Sequence, residues 1–224
     1  MIYDFHTHTF LSDGSLSPVE LIRRATVNGY AAIAITDHAG MGGLEQILPV
    51  LVRDCAIAER YWGIVALPGV ELTHLPPEAI ADAARQAKEL GARLVAVHGE
   101  TVVEPVPPGT NRAAIACPDV DVLAHPGLLT LEEAREAAAS STFLEISGRK
   151  GHAFANGHVV RVALEAGAAL LLDSDAHDPP DLLTAELARI IALGSGLSLD
   201  MLGEVLEENP RRLLRALLAG QRSA

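Results

Sequence analysis

Short apolar runs recur along the chain, separated by longer segments in which Ala and Leu repeat at helical spacing. Runs such as "AAIAIT", "RLVAVH" and "DVLAH" are apolar almost throughout, which is typical of parallel strands covered on both faces. The predicted strands span residues 2–6, 31–36, 64–71, 93–98, 120–125, 143–147 and 168–174. Because the intervening segments are long enough for crossover helices, the pattern predicts a parallel α/β sheet or barrel of about seven βα units.

Several helix boundaries are marked by residues that favour helix ends. In "SLSPVE", Ser17 can cap a helix and Pro18 suits its first turn, while Gly91 can end the helix in "PPEAIADAARQAKELGA". The C-terminal segment "LSLDMLGEVLEENPRRLLRALLAG" predicts two short amphipathic helices separated at Pro210, because proline interrupts helical hydrogen bonding.

The composition and charge narrow the class of protein. With 224 residues, 49% of them hydrophobic, the chain can bury a large core, and we expect one globular domain over residues 1–224. The formal net charge is −12 and the 17 Lys and Arg residues are scattered, which disfavours binding to long nucleic acids. A phosphate ester or a short oligonucleotide is compatible with this charge.

The cysteines and the N-terminal segment indicate the cellular compartment in which the protein is expected. Cys55 and Cys117 are far apart and form no CxxC motif, so neither a disulfide framework nor a thiolate zinc site is indicated. The N-terminal segment lacks the features of a signal peptide, and no run has about 18 apolar residues without a charge or a turn. The sequence therefore predicts a cytoplasmic protein with no membrane-spanning segment.

Side chains of the types that bind metal ions are concentrated at the ends of the predicted strands. In "MIYDFHTHTFLSDGS", His6 and His8 are two residues apart, a spacing that points both imidazoles of a strand to one side. Further candidates follow later strands, namely Asp37, His38, Glu71, His98, His125, Asp173, Asp175 and His177. The three remaining histidines are His74, His152 and His158, and for the last two an ordinary structural role is expected. Since the carboxyl ends of barrel strands form one rim, the sequence predicts a metal centre there.

In chain order, "DFHTHTFLSDG", "AITDH", "PGVE", "VH", "AHPG" and "DSDAH" resemble the successive motifs of the PHP (polymerase and histidinol phosphatase) superfamily. The resemblance implies a distorted (β/α)7 barrel, TIM-like, with two or three divalent metal ions at its C-terminal rim. It gives one metal site to His6, His8, Glu71 and Asp175, a second to Asp13, His38 and His177, and a third to Glu71, His98 and His125. Many relatives have histidine where this chain has Asp13. The mixed nitrogen and oxygen ligands suit manganese, iron or zinc.

The same resemblance implies a phosphoesterase that hydrolyses a small phosphomonoester, of histidinol-phosphatase type, by means of a metal-bridged hydroxide. His177 and Asp37 are the candidate catalytic residues for proton transfer. Arg149 and Lys150 are candidates for substrate binding, because they follow the sixth strand in a glycine-flanked loop. Two further candidates for substrate contact are Arg112 and His74.

Three alternatives stay open at this point. The first is a nuclease-like phosphodiesterase or exonuclease that acts on nucleotides or short RNA or DNA ends, although several such relatives carry an inserted domain for which this chain has little room. The second is a noncatalytic domain in which the metals only stabilise the barrel. The third is a metal-dependent amidohydrolase, disfavoured because the usual barrel lysine cannot be singled out. The sequence leaves the oligomeric state open.

Overall fold

The computed structural model describes residues 1–219. Its eight strands are β1 (Ile2–Asp4), β2 (Tyr30–Ile35), β3 (His38–Ala39), β4 (Val65–Leu72), β5 (Leu94–His98), β6 (Val122–Ala124), β7 (Phe143–Ser147) and β8 (Leu170–Asp173). They form one parallel sheet in the order β1-β2-β4-β5-β6-β7-β8, and the short β3 also pairs with β4. The seven predicted strands are confirmed with slightly different ends, and β3 is an additional short strand.

Helices follow the strands and cover the outside of the sheet. They are α1 (Pro18–Val27), α2 (Leu44–Trp62), α3 (Ile80–Glu89), α4 (Thr110–Ala116), α5 (Leu131–Ala138), α6 (Asn156–Ala166), α7 (Ala185–Gly194) and α8 (Asn209–Ala219). As predicted, the Ser17 side chain caps α1 by accepting from the backbone N–H of Glu20, and Gly91 follows α3 with a φ of 101°. Among residues 1–219, no helix has the length and apolar character needed to cross a membrane.

The C-terminal segment differs from the expected pair of separate helices. Helical backbone continues through Pro210, which lies in the first turn of α8, and the preceding residues Glu204–Glu208 form a π-helical turn. Proline lacks a backbone N–H and clashes with the carbonyl four residues earlier. The wider π turn accommodates the proline, so the predicted break at Pro210 is wrong.

The segments that follow the first and last strands meet at the C-terminal rim and close the barrel there. The backbone N–H of Asp175 donates to the carbonyl of His6 at 2.9 Å, and the N–H of His8 donates to the carbonyl of Ala176 at 2.8 Å. Thr7 and Ala176 form a parallel β-bridge between these hydrogen bonds. Barrel closure therefore depends on the segments that carry predicted metal ligands, and the predicted distorted barrel is confirmed.

Below the rim, two buried carboxylates join the first and last strands. Asp173 Oδ1 accepts from the backbone N–H of Phe5 at 2.6 Å, and Asp4 Oδ1 accepts from the N–H of Ser174 at 3.0 Å. Burial raises the pKa of Asp4 to about 6, against hydrogen bonds from Ser174 and Tyr30 that lower it. Asp173, which the sequence analysis included among the candidate metal-binding residues, thus stabilises the contact between the ends of β1 and β8.

The barrel interior is apolar at its base and polar near the rim. Its buried apolar cluster contains Tyr3, Phe5, Ala32, Ala34, Leu67, Leu94, Ala96, Val122, Phe143 and Leu171, together with Leu213 and Leu217 of α8. Because side chains alternate along a strand, Leu67 and Glu71 of β4 face the same interior, as do Phe143 and Glu145 of β7. The apolar base therefore supports a layer of polar side chains above it.

Candidate metal centre

The structure brings all nine predicted metal ligands together at the C-terminal rim. Each belongs to a group of side chains whose nitrogen or oxygen ligand atoms lie within 4.8 Å of one another. The nine are His6, His8, Asp13, His38, Glu71, His98, His125, Asp175 and His177. Eight of these side chains are buried or partly buried, and Asp13 alone has more than half of its side chain exposed, at 53%.

The deepest part of the centre lies between β1, β4 and the loop after β8. His6 Nε2 is 3.3 Å from Glu71 Oε2 and 3.7 Å from Asp175 Oδ1. His8 Nε2 is 3.2 Å from Asp175 Oδ1 and 3.7 Å from Glu71 Oε2. Two imidazoles and two carboxylates thus converge on one point, which is the arrangement expected of a site for a divalent ion.

A second group lies nearer to solvent around the carboxylate of Asp13. Its oxygens are 3.2 Å from His177 Nε2, 3.7 Å from His38 Nε2 and 3.8 Å from His8 Nδ1. His8 therefore borders both the deep group and this outer group through different ring nitrogens. Because β3 pairs with β4, His38 lies opposite Glu71, and its Nδ1 is 2.8 Å from Glu71 Oε2.

A third group surrounds the other oxygen of Glu71. Glu71 Oε1 is 3.2 Å from His98 Nδ1 and 3.2 Å from His125 Nε2. His125 Nε2 is also 3.7 Å from Asp175 Oδ2. Glu71 therefore stands between all three groups, and its two oxygens face different sets of imidazoles.

Buried polar atoms without a hydrogen-bond partner are concentrated in this centre. Within residues 1–219, they include His6 Nε2, both ring nitrogens of His8 and of His98, both oxygens of Glu71, His125 Nδ1 and Asp175 Oδ2. An unpaired buried polar atom costs free energy, so such a concentration calls for a bound group. Imidazole nitrogens and carboxylate oxygens are suitable ligands for divalent manganese, iron or zinc, and the donor set fits these ions.

The electrostatic environment of the buried ligands also favours cations. Burial alone would lower the pKa of His6, but the carboxylates of Glu145, Asp175 and Glu71 raise it well above its usual value. Burial alone would raise the pKa of Glu71, but the surrounding imidazoles hold it well below its usual range. Burial lowers the pKa of His8 to about 3, which keeps this imidazole neutral and able to bind a metal.

Glu145, on β7, is a residue of the centre that the sequence analysis missed. Its Oε2 atom lies 2.7 Å from His6 Nδ1, and both side chains are fully buried. A hydrogen bond at Nδ1 fixes the ring so that Nε2 presents its lone pair to the site. The available signal was a charged residue within the otherwise apolar strand sequence "FLEIS".

The backbone around the centre is held in sparsely populated conformations. His125 and Asp175 have positive φ angles of 27° and 54°, which side-chain-bearing residues rarely adopt. Gly127 has a φ of 64°, and a Cβ atom there would lie 1.9 Å from the carbonyl oxygen of Glu100. The loops after β5 and β6 therefore pack closely, and only glycine fits at position 127.

Asp37 lies beside the centre, with its carboxylate engaged by the loop after β1. Asp37 Oδ1 accepts from the backbone N–H of Thr9 and from the Ser12 hydroxyl, both at 2.7 Å, and Oδ2 accepts from the Thr9 hydroxyl at 2.7 Å. Burial raises the pKa of Asp37 despite these hydrogen bonds. These contacts support a role in positioning the loop, and the catalytic role of Asp37 stays a prediction.

A cavity of about 410 Å³ opens over the outer group. It is lined by Ser12, Asp13, His38, Ala39, Gly40, Thr73, His74 and Glu104. His74, a predicted substrate contact, lies here with its ring centroid 5.9 Å from that of His98. Glu104, which the sequence analysis did not single out, adds a second carboxylate to the mouth of the site.

The predicted basic contacts lie apart from this mouth. Arg149 and Lys150 line a neighbouring cavity of about 540 Å³ together with Asp178, which follows the candidate ligand His177 in the chain. Arg112 instead forms ion pairs on the outer surface, 3.4 Å from a carboxylate oxygen of Glu132 and 3.3 Å from one of Glu136. Substrate binding by Arg149, Lys150 and Arg112 stays a prediction.

A structural role was expected for both His152 and His158, but the structure places only His152 in the metal centre. His158 Nε2 lies 2.6 Å from the carbonyl oxygen of Leu129, outside the metal centre. His152 instead lies at the centre, where its buried ring stacks on that of His125 with centroids 4.1 Å apart. Sequence periodicity could not place His152, since it lies in the irregular connection after β7.

Comparison with known proteins identifies the family. A family model described as PHP domain matches residues 4–99. An uncharacterised protein of Methanocaldococcus jannaschii is 44% identical over 218 residues, covering 97% of this chain and 100% of the relative. A probable phosphatase of Thermoanaerobacter sp. is 27% identical over 239 residues, covering 95% and 97%. Over only 71 residues, a 5'-3' exoribonuclease of Haemophilus influenzae is 37% identical, covering 32% of this chain and 23% of the relative.

Solved structures show the same fold at low sequence identity. Histidinol phosphate phosphatase of Lactococcus lactis, solved with zinc, L-histidinol and phosphate, has a TM-score of 0.62 at 15% identity, covering 88% of this chain and 94% of that chain. A chain from the structures of the metal-dependent tyrosine phosphatases of Bacillus subtilis and Streptococcus pneumoniae has a TM-score of 0.61 at 17% identity, covering 96% of this chain and 94% of that chain. The match to the family model and the similarity to a probable phosphatase support the predicted enzyme class, a metal-dependent phosphoester hydrolase. The chain belongs to the PHP domain family.

Proposed function

We propose that this protein hydrolyses a small phosphomonoester of the histidinol-phosphate type. The observation that carries the proposal is the convergence of nine nitrogen and oxygen ligands beneath a cavity of about 410 Å³. The unpaired buried atoms of Glu71 and Asp175 support two or three divalent ions, of manganese, iron or zinc, as the bound group. The similarity to the Lactococcus lactis enzyme supports the substrate class through the fold.

Divalent ions at such a centre supply positive charge for the phosphoryl oxygens and lower the pKa of water. Around them, the protein orients the ligands and controls protons. The Nδ1–H of His177 donates to the backbone carbonyl of Asp175 at 3.0 Å, which leaves Nε2 to face Asp13 at the mouth. His177 Nε2 can therefore either bind an ion of the outer group or, where no ion occupies it, exchange a proton with the substrate, and it cannot do both at once. We propose that Asp37 assists by positioning the loop that carries Asp13.

Substrate recognition is proposed to involve the loops around the mouth. His74 lines the cavity directly, so we assign it to contact with the part of the substrate beyond the phosphate. Arg149 and Lys150, in the neighbouring cavity, are proposed to hold an anionic group that extends past His177. Arg112 has the weakest support, since Glu132 and Glu136 compete for its guanidinium group.

A second candidate function is hydrolysis of a phosphodiester at a nucleotide or a short RNA or DNA end. It is favoured by the short match to the Haemophilus influenzae exoribonuclease. The net charge of −12 disfavours binding of long nucleic acids. We therefore favour monoester hydrolysis. An assay that offers both kinds of substrate distinguishes the two functions.

The proposal is tested by phosphate release from a panel of substrates by manganese-reconstituted protein. The panel contains histidinol phosphate, nucleoside monophosphates, a nucleoside 3',5'-bisphosphate and a short RNA. The Asp175→Asn variant serves as the control for contaminating phosphatase. Release from histidinol phosphate by the parent alone is the expected result. Shortening of the RNA without release from any monoester would contradict the proposal and favour the phosphodiesterase.

A further inference from the structure

His152 reaches the metal centre from the connection between β7 and α6, a segment to which the family resemblance gave no ligand. Its side chain is 5% exposed and its ring stacks on that of His125 at an interplanar angle of 25°. The ring centroid also lies 5.8 Å from that of His98. His152 therefore borders the third group of ligands, around the Oε1 atom of Glu71.

A hydrogen bond orients the imidazole of His152. Its Nδ1 atom lies 2.8 Å from the hydroxyl oxygen of Thr101, which is itself buried in the loop after β5. When Nδ1–H donates to this oxygen, the lone pair of the ring is on Nε2. The same arrangement holds His6, whose Nδ1 is bonded to Glu145, and it is the usual way in which a protein fixes a metal-binding histidine.

The Nε2 side of His152 faces other ligand atoms. His125, His152 and Asp175 each offer one ligand atom within 4.8 Å of the others. The carboxylate of Glu104 approaches from the loop after β5, with Oε2 3.5 Å from His152 Nε2 and 3.9 Å from His98 Nε2. Nitrogen and oxygen donors from the four loops after β5, β6, β7 and β8 thus surround the same space.

A purely structural role explains these contacts less well. A structural histidine satisfies its nitrogens with fixed protein partners, as His158 does with the carbonyl of Leu129. His152 has such a partner only at Nδ1, while at Nε2 it faces a carboxylate that is 56% exposed. The hydrogen bond and the stack on His125 orient the ring, and its Nε2 atom faces Glu104, which lines the mouth.

We propose that His152 is a further metal ligand, which binds the divalent ion of the His98–His125 group, and that the carboxylate of Glu104 closes this site on the side of the mouth. The third ion would then be held by donors from β4, from β5, from the residue that follows β6 and from the connection after β7. This inference concerns the metal centre and does not depend on which phosphoester is the substrate.

The test is a measurement of metal content and affinity in the full-length protein. His152→Gln is compared with the parent and with His158→Gln, which alters a histidine outside the centre. After reconstitution with manganese and gel filtration, bound metal is counted by mass spectrometry, and affinities are measured by competition with a chelator. We expect His152→Gln to bind one ion at least about tenfold more weakly, while the other ions and the His158→Gln variant are unchanged.

Two further measurements separate a ligand from a structural residue. The melting temperature of the metal-free His152→Gln variant is expected to match that of the metal-free parent, because the side chain is proposed to act through the ion. Thr101→Val removes the hydroxyl partner and keeps His152. We expect it to weaken binding of the same ion by a smaller factor than His152→Gln does. Unchanged metal content and affinity in both variants would overturn the proposal, whatever happens to activity.

Discussion

The carboxylate of Glu145 lies 2.7 Å from Nδ1 of His6, and neither side chain is exposed to solvent. This contact fixes the ring whose Nε2 faces Glu71 and Asp175. We expect Glu145→Ala to weaken binding of the deepest metal ion by about 10- to 100-fold, because the imidazole loses its orientation. Chelator competition measures the effect, and Glu145→Gln should lose less affinity because its amide oxygen can still accept the hydrogen bond.

The matched control for Glu145 is Glu89→Ala, which alters an exposed carboxylate at the end of α3. It should leave metal affinity unchanged. Equal affinities for Glu145→Ala and Glu89→Ala would show that the hydrogen bond to His6 does not support the metal centre.

Asp13 is the exposed member of the outer group and lies within 3.8 Å of His8, His38 and His177. Its replacement by alanine should remove the only carboxylate of that group and lower the metal content by one ion. Because the side chain is 53% exposed, the stability of the metal-free protein should change by less than about 0.5 kcal/mol. Metal counting and denaturant unfolding of Asp13→Ala check both results, and full metal content would count against the outer site.

Substitution of Gly127 tests whether the loops after β5 and β6 pack tightly against each other. A Cβ atom at this position would overlap the carbonyl oxygen of Glu100, and its φ of 64° disfavours other residues. Gly127→Ala should therefore lower the free energy of unfolding by at least about 2 kcal/mol. Gly203→Ala is the control, because this helical glycine has no atom near its Cβ position and should gain about 0.5–1 kcal/mol. Similar stabilities for the two variants would contradict the described loop packing.

The two cysteines provide a prediction about reactivity. Cys55 and Cys117 are both buried, and burial raises the pKa of each thiol, which disfavours the reactive thiolate. A thiol-reactive dye should label neither residue in the native protein at pH 8 and both in denaturant. Rapid labelling of the native protein would show that one of the thiols is accessible.

Sequence reasoning found the candidate metal ligands because most of them lie at or just after the end of a strand that could be recognised from its apolar residues. "RLVAVH" and "DVLAH" predict both a buried strand and the histidine at its end, and the barrel then brings His98 and His125 together. The geometry of a parallel barrel supplied the long-range contacts that no local pattern contains.

Four features required the structure because their causes are not local. β3 is only two residues long, too short for a recognisable alternation, and it exists through its pairing with β4. Glu145 is hidden in an apolar strand, and His152 lies in an irregular connection without periodicity. At Pro210 the sequence indicates a break, but the chain adopts a π turn that keeps the helix continuous.

The central claim is that the rim of the barrel binds divalent ions that serve phosphoester hydrolysis. The most direct test is phosphate release from an aryl phosphate, measured while manganese is titrated into the metal-free protein and, in parallel, into Asp175→Asn. We predict no release by the metal-free protein and an increase in rate that saturates at two or three equivalents for the parent only. Release by the metal-free protein, or an equal increase for Asp175→Asn with full metal content, would contradict the claim.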